Sequence, residues 1–110
     1  MIVVRTVFQA GFGRGGELAA ALKAAAQRLA AEMDGERRWR LLTDLSGDFD
    51  TVVQELEVES LAEWEEMRTR LFGMAAFRES MAVTQAMIVS GRNELWTIEA
   101  QAAGPTNSPS

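Results

Sequence analysis

An α+β fold, an antiparallel sheet with helices on one face, follows from three observations on the sequence. Apolar residues alternate in four short stretches, they recur at helical spacing between the first and second and between the third and fourth, and only a turn separates the middle two. The order is therefore βαββαβ, two strand-helix-strand units joined by a hairpin, the split βαβ or ferredoxin-like arrangement. A chain of 110 residues with 47% hydrophobic content can build one core and not two, so residues 1–100 are read as a single domain.

The first strand spans Ile2 to Gln9, with Ile2, Val4, Thr6 and Phe8 on one face and Val3, Arg5, Val7 and Gln9 on the other. A breaker cluster, Gly11-Phe12-Gly13-Arg14-Gly15-Gly16, precedes a helix whose Leu18, Leu22, Ala25, Leu29 and Met33 share a stripe as far as Asp34-Gly35. Arg38 to Leu45 alternates again, and Ser46-Gly47-Asp48 turns the chain into the third strand. There Val52, Leu56 and Val58 oppose Val53, Glu55 and Glu57. Ser60 stops the strand and, with Glu63, forms a capping box for a helix bearing Leu61, Trp64, Met67 and Leu71 on one side. Gly73 breaks that helix, and Met74, Phe77, Met81 and Thr84 continue a stripe toward Ile88. Ser90-Gly91 is expected to end it, leaving Arg92 to Ala100 as the last strand, with Trp96 on the helix side and Leu95 on the other. Residues 101–110 are polar and hold both prolines, so the sequence predicts a disordered tail.

Composition excludes several kinds of function. Eleven basic against sixteen acidic residues give a formal charge of -5, which disfavours nucleic acid and anionic membranes as partners. The chain has no cysteine and no histidine, which removes thiolate chemistry, the commonest metal ligand and the usual general base; no metal or other cofactor is expected. With no long apolar run and no basic-then-apolar leader pattern at Met1-Ile2-Val3-Val4-Arg5, a cytoplasmic protein is expected.

Helices confined to one face leave the other side of the sheet uncovered. That side is expected to carry Arg5, Arg38, Arg40, Asp44, Glu55, Glu57 and Glu99 among Val3, Val7, Leu42, Val53 and Leu95. A solvated face is one reading. The other, adopted here, is that arginine and glutamate pair across strands while the aliphatics pack on a second copy, giving a homodimer.

DTVVQELEVESLAEWEEM, followed by a second helical segment and GRNELWTIE, resembles the dimeric α/β-barrel superfamily, in particular its NIPSNAP-like and antibiotic-monooxygenase-like small domains, over about residues 1–100. The resemblance implies that two protomers face their open sheets to close a barrel, and that the interior or the cleft beside the helices holds a small ligand. Members that bind haem rely on histidines, which this chain lacks. The cofactor-free monooxygenases of the group use polar residues such as Asn with Trp around an aromatic substrate; here Asn93, Trp39, Trp64 and Trp96 are the residues of those types. The expected function is binding of a small apolar organic molecule or a structural role, the alternative a cofactor-independent monooxygenase or isomerase acting on a small aromatic or polyketide-like substrate.

Gly11, Gly13 and Gly16 match G-x-G-x-x-G, but Arg5 in the preceding strand and the hairpin after the second strand do not suit a doubly wound sheet, so the glycines are assigned to the turn. Phosphate binding at Arg14, by similarity to acylphosphatases, calls for an Asn that Arg38 to Asp50 lacks. Trp64 and Trp96 are read chiefly as core, Met67, Met74, Met81 and Met87 as either gap-fillers or a soft apolar wall, and Glu55, Glu57 and Glu99 as ion-paired rather than basic catalysts. The candidate ligand-contacting set is Arg5, Arg40, Glu55, Trp64, Met67, Met81, Asn93 and Trp96; no catalytic residue is assigned.

Overall fold

The computed structural model describes residues 1–33 and 37–102. Among these the order is β1 (Ile2–Ala10), α1 (Gly15–Ala30), β2 (Trp39–Thr43), β3 (Thr51–Val58), α2 (Leu61–Gly73), α3 (Ala75–Gln85) and β4 (Ile88–Thr97). The four strands form one antiparallel sheet in the order β2-β3-β1-β4. This is the ferredoxin-like arrangement that the alternation predicts. The first helix ends at Ala30, with Ala31 as its C-cap, so Met33, expected on its stripe, lies beyond it and the helix stops short of the expected Asp34-Gly35; residues 34–36 and the tail from residue 103 onward lie outside the described residues.

Packing divides the helix side of the sheet into two clusters. Ala10, Leu18, Leu22 and Val52 are buried together against Phe8, Leu41, Met87 and Ile88, which seats α1 on β1 and β3 near the hairpin end. Val4, Val58 and Met67 are buried with Ile2, Leu56, Met33 and Trp64 at the opposite end, under α2. The methionines are thus shared between two clusters and do not line one wall: Met67 belongs to the second, Met87 to the first, and Met81 is 38% exposed on α3.

The start of α2 follows the capping rule with one adjustment. Ser60 Oγ accepts from the Glu63 amide at 3.1 Å, while Glu63 Oε1 accepts from the amide of Glu59, at 2.7 Å, one residue beyond the cap. Gly73 ends α2, and Met74, in extended conformation, is both its C-cap and the N-cap of α3. The break is the expected one. Arg78 Nη1 covers it by donating to the Phe72 carbonyl at 3.1 Å, one of the four carbonyls a helix end leaves unpaired.

Three expectations for the strands need correction. β2 is shorter than Arg38 to Leu45, although single backbone bonds from Glu57 to Arg38 and from Asp44 to Thr51 extend its pairing at both ends. β4 begins at Ile88, four residues before the expected Arg92, so Ile88 is strand and not the end of a helical stripe. Gly91 pairs with Phe8 inside that strand; a Cβ there would stand 3.1 Å from the Phe8 ring, so the glycine answers a close approach and not a turn. Finally, Val3 lies opposite Trp96 and Val4 opposite Leu95. Directly paired residues share a face, so Trp96 is on the open face at 57% exposed and Leu95 is on the helix side, the reverse of the expectation.

Candidate functional site

The open face is organised by one row of charges that crosses all four strands. Register aligns Arg40 of β2 with Glu55 of β3, Glu55 with Arg5 of β1, and Arg5 with Glu94 of β4. Arg40 Nε donates to Glu55 Oε1 at 3.1 Å and its Nη2 reaches the same oxygen. Arg5 bridges the two carboxylates, Nε to Glu55 Oε2 at 3.3 Å and Nη1 to Glu94 Oε1 at 3.1 Å. Arg92 Nε adds a bond to Glu94 Oε2 at 2.8 Å, and Trp96 Nε1 donates to Glu94 Oε1 at 3.1 Å. Donors from Arg92, Trp96 and Arg5, in that order of effect, outweigh desolvation and hold the Glu94 carboxyl down at about 2. Arg40 is correspondingly raised by its bond to Glu55.

Rows of less polar residues flank this ladder. On the hairpin side Leu42, Val53, Val7 and Arg92 align, and on the other side Glu57, Val3 and Trp96, with Arg38 ion-paired to Glu57 at 3.7 Å. Two grooves open on the hairpin side. One, of about 450 Å3, is lined by Arg5, Leu42, Val53, Thr51 and the hairpin residues Thr43 to Ser46 and Asp48. The other, of about 350 Å3, is lined by Val7, Gln9, Asp48, Thr51, Ser90, Gly91 and Arg92.

The hairpin that overhangs these grooves is fastened to the glycine loop by Asp50. Its carboxylate accepts from the amides of Gly13 at 2.7 Å and Gly15 at 2.9 Å, and its carbonyl accepts from Ala10 at 2.9 Å. Arg14, the N-cap position of α1, supplies no capping side chain, so a carboxylate from another loop does that work. The amides that a phosphate reading would use are thus aimed at the protein's own anion. Arg14 itself is paired with Glu17 at 3.0 Å and bonded to the Ala86 carbonyl at 3.1 Å.

The sheet separates the eight candidate residues into two groups. Arg5, Arg40, Glu55 and Trp96 share the open face, Arg5 touching Glu55 directly and Trp96 joining through Glu94. Trp64 and Met67 lie on the helix side in the second cluster, and Met81 lies on α3. Asn93 also faces the helix side, where its Oδ1 accepts from Thr6 Oγ1 at 2.7 Å. An Asn-Trp pairing of Asn93 with Trp96 is therefore split by the sheet. Glu94, Arg92 and Asp50 were not among the candidates; R-x-E-x-W at strand spacing is the signal for the first two, and no local pattern marks Asp50. Glu55 and Glu57 both carry arginine partners, as an ion-paired reading of them requires. Among the described residues no group of three or more acidic side chains could hold a metal ion, and no helix is long and apolar enough to cross a membrane.

The chain has the fold of NIPSNAP-domain and antibiotic-monooxygenase-like proteins. It is similar to the crystal structure of a NIPSNAP domain protein from Burkholderia xenovorans, with a TM-score of 0.80 at 14% identity, covering 94% of this chain and 100% of that one. A NIPSNAP family protein from Agrobacterium tumefaciens superposes with a TM-score of 0.77 at 16% identity, over 91% of this chain and 88% of its own. SnoaB, a cofactor-independent oxygenase from Streptomyces nogalater, does so with a TM-score of 0.68 at 15% identity, over 91% and 94%. At these identities the likeness is one of fold. No protein-family model and no curated protein matches the sequence.

Proposed function

We propose that two copies of this chain pair through their open sheet faces and that the grooves beneath the hairpin, covered by that pairing, hold a small apolar organic molecule. The observation that supports this reading is the state of the face: its glutamates are already neutralised by arginines within the protomer, while Leu42 and Trp96 remain 37% and 57% exposed on either side of them. Paired charges cost less to cover than free ones, and exposed apolar groups around them gain from being covered. An oxygenase activity gains no support from residue placement, since Asn93 is bonded to Thr6 on the other side of the sheet from Trp96.

The test is light scattering at micromolar concentration on the wild-type protein and on Leu42→Asp. A dimeric wild type and a weakened or monomeric variant with an unchanged circular dichroism spectrum are expected. Val53, the obvious alternative, is only 8% exposed within one chain, so a charge there would unfold the protomer as readily as divide a dimer. A monomeric wild type would sink the reading. The ligand half is read separately, by native mass spectrometry of the dimer: retained small-molecule mass supports it, and a dimer that carries none and enhances no fluorescence of anilinonaphthalene sulfonate leaves a structural role.

A further inference from the structure

We propose that Phe12 and Phe49, where the glycine loop meets the hairpin at one end of the sheet, form a docking knob for a cationic amphipathic segment of another protein. Neither residue belongs to the two core clusters or lines the two grooves, and they are 88% and 71% exposed. The knob is therefore independent of whether two copies pair. Single apolar side chains on a surface are ordinary. These two are not single: their ring centroids stand 6.1 Å apart with the planes at 76°, an edge-to-face contact made in water by residues of separate loops.

Hydrogen bonds fix the backbone on either side of both rings. The Asp50 carboxylate accepts from the Gly13 and Gly15 amides that follow Phe12, and the Gly11 carbonyl that precedes it accepts from the Arg14 amide at 2.8 Å. Gln9 Nε2 donates to the Phe49 carbonyl at 2.6 Å, and Thr51 Oγ1 donates to the Asp48 carbonyl at 2.9 Å. The two loops also meet too closely for a side chain between them: a Cβ at Gly15 would stand 2.9 Å from the Asp50 Cα. The rings are thus seated before anything binds, and a partner does not have to order them. Seating Phe12 beside Phe49 gives the glycine cluster a role that its resemblance to phosphate-binding loops does not.

Charge selects the partner. Residues 11–17 and 44–50 hold Glu17, Asp44, Asp48 and Asp50 against Arg14 alone, so these two short segments carry -3 of the chain's formal -5. Arg14 is paired with Glu17, and the Asp50 carboxylate is occupied by the glycine amides. Among the described residues Asp44 and Asp48 take part in no ion pair. A segment with apolar residues between lysines or arginines meets both features, setting its apolar side on the rings and its cations against these carboxylates and the ring faces. Acidic segments and anionic lipid are repelled by the same charges. A small free molecule fits less well, because the rings protrude and line neither groove, whereas such ligands are bound where most of their surface is enclosed.

The test is fluorescence anisotropy of the full chain with a labelled peptide of about 18 residues, leucine and lysine at helical spacing. Two comparison peptides replace every leucine by serine or every lysine by glutamate. The leucine-lysine peptide is expected to bind at least about tenfold more tightly than either, and Phe12→Ser and Phe49→Ser each to weaken it about tenfold with an unchanged circular dichroism spectrum. Phe12→Tyr, which keeps a ring, should bind as the wild type does, and this separates loss of the knob from any disturbance of the loop. Asp48→Asn is expected to weaken binding less and to flatten its dependence on salt. Equal binding of the serine-lysine peptide would show general charge attraction alone, and binding unaffected by either serine variant would place the contact elsewhere; each overturns the proposal. So do two other occupants. Self-association that Phe12→Ser abolishes would assign the knob to a second copy, and co-sedimentation with phosphatidylcholine vesicles that the same change abolishes would assign it to a membrane.

Discussion

Replacing Asp50 separates two contributions that the hairpin-loop junction combines. Its carboxylate accepts two amide hydrogen bonds at 2.7 and 2.9 Å, and its backbone sits at φ 61, in the left-handed region. Loss of a capping carboxylate costs about 1–2 kcal/mol at a partly exposed helix start. A left-handed alanine adds about 1–2 kcal/mol of steric cost, which glycine does not carry and which asparagine tolerates better than most residues. Asp50→Ala is therefore expected to lose about 2–4 kcal/mol, Asp50→Gly about 1–2 kcal/mol, and Asp50→Asn the least, since its amide oxygen still accepts from one of the two glycines. Urea denaturation reads this directly: at a slope of about 2 kcal/mol per molar, a 3 kcal/mol loss lowers the midpoint by about 1.5 M. The ranking matters more than the absolute values. Equal losses for alanine and glycine would refute the conformational part, and three silent variants would show that the carboxylate caps nothing.

Two further outcomes are expected. Ser60→Ala removes the hydroxyl that accepts from Glu63 and should cost about 1 kcal/mol in chemical denaturation with no change of oligomeric state, because the cap lies away from the open face; a negligible loss would contradict the cap. Glu94 has a folded value of about 2 against an ordinary 4.5, so its contribution is present above about pH 4.5 and is lost as pH falls toward 2. The stability difference between wild type and Glu94→Gln should accordingly be constant from pH 7 to 5 and shrink below 4.5; a difference independent of pH down to 2 would mean that the arginines do not act on this carboxylate.

The fold was legible because its signals are local and redundant. Alternation in β1 and β3, the Ser60-Glu63 cap and the break at Gly73 each report on a few neighbouring residues, and each element is where those residues place it. The last strand was legible in existence but not in phase. Ile88, Leu95, Trp96 and Ile98 supply apolar residues to both faces, so its pattern alone does not choose which side meets the helices; only pairing with β1, Val3 to Trp96 and Arg5 to Glu94, decides. The candidate site inherited that ambiguity. Arg5, Arg40 and Glu55 could be grouped from strands of clear phase, whereas Glu94 was assigned to the helix side and so missed. Asp50 was invisible for a different reason: its partners are amides of Gly13 and Gly15, 37 and 35 residues away, and backbone groups leave no residue type to read.

The phase of β4 also changes what the open face is made of, and with it how the proposed pairing of two copies would work. With Leu95 outward the face would be an aliphatic patch dotted with separate charges, and hydrophobic area alone would have to set both the strength and the orientation of pairing. With Glu94 and Trp96 outward, the charges close into one ladder from Arg40 to Arg92 that spans the sheet. Cross-strand ion pairs of this half-exposed kind contribute little to the protomer, roughly 0.2–1 kcal/mol each, so they do not explain why all four strands should carry one. The division of labour is then between strength and orientation. On the proposed pairing, Leu42 and Trp96 would provide the apolar area that favours association, while the row of charges, weak pair by pair, would restrict which arrangements of the two sheets are tolerated.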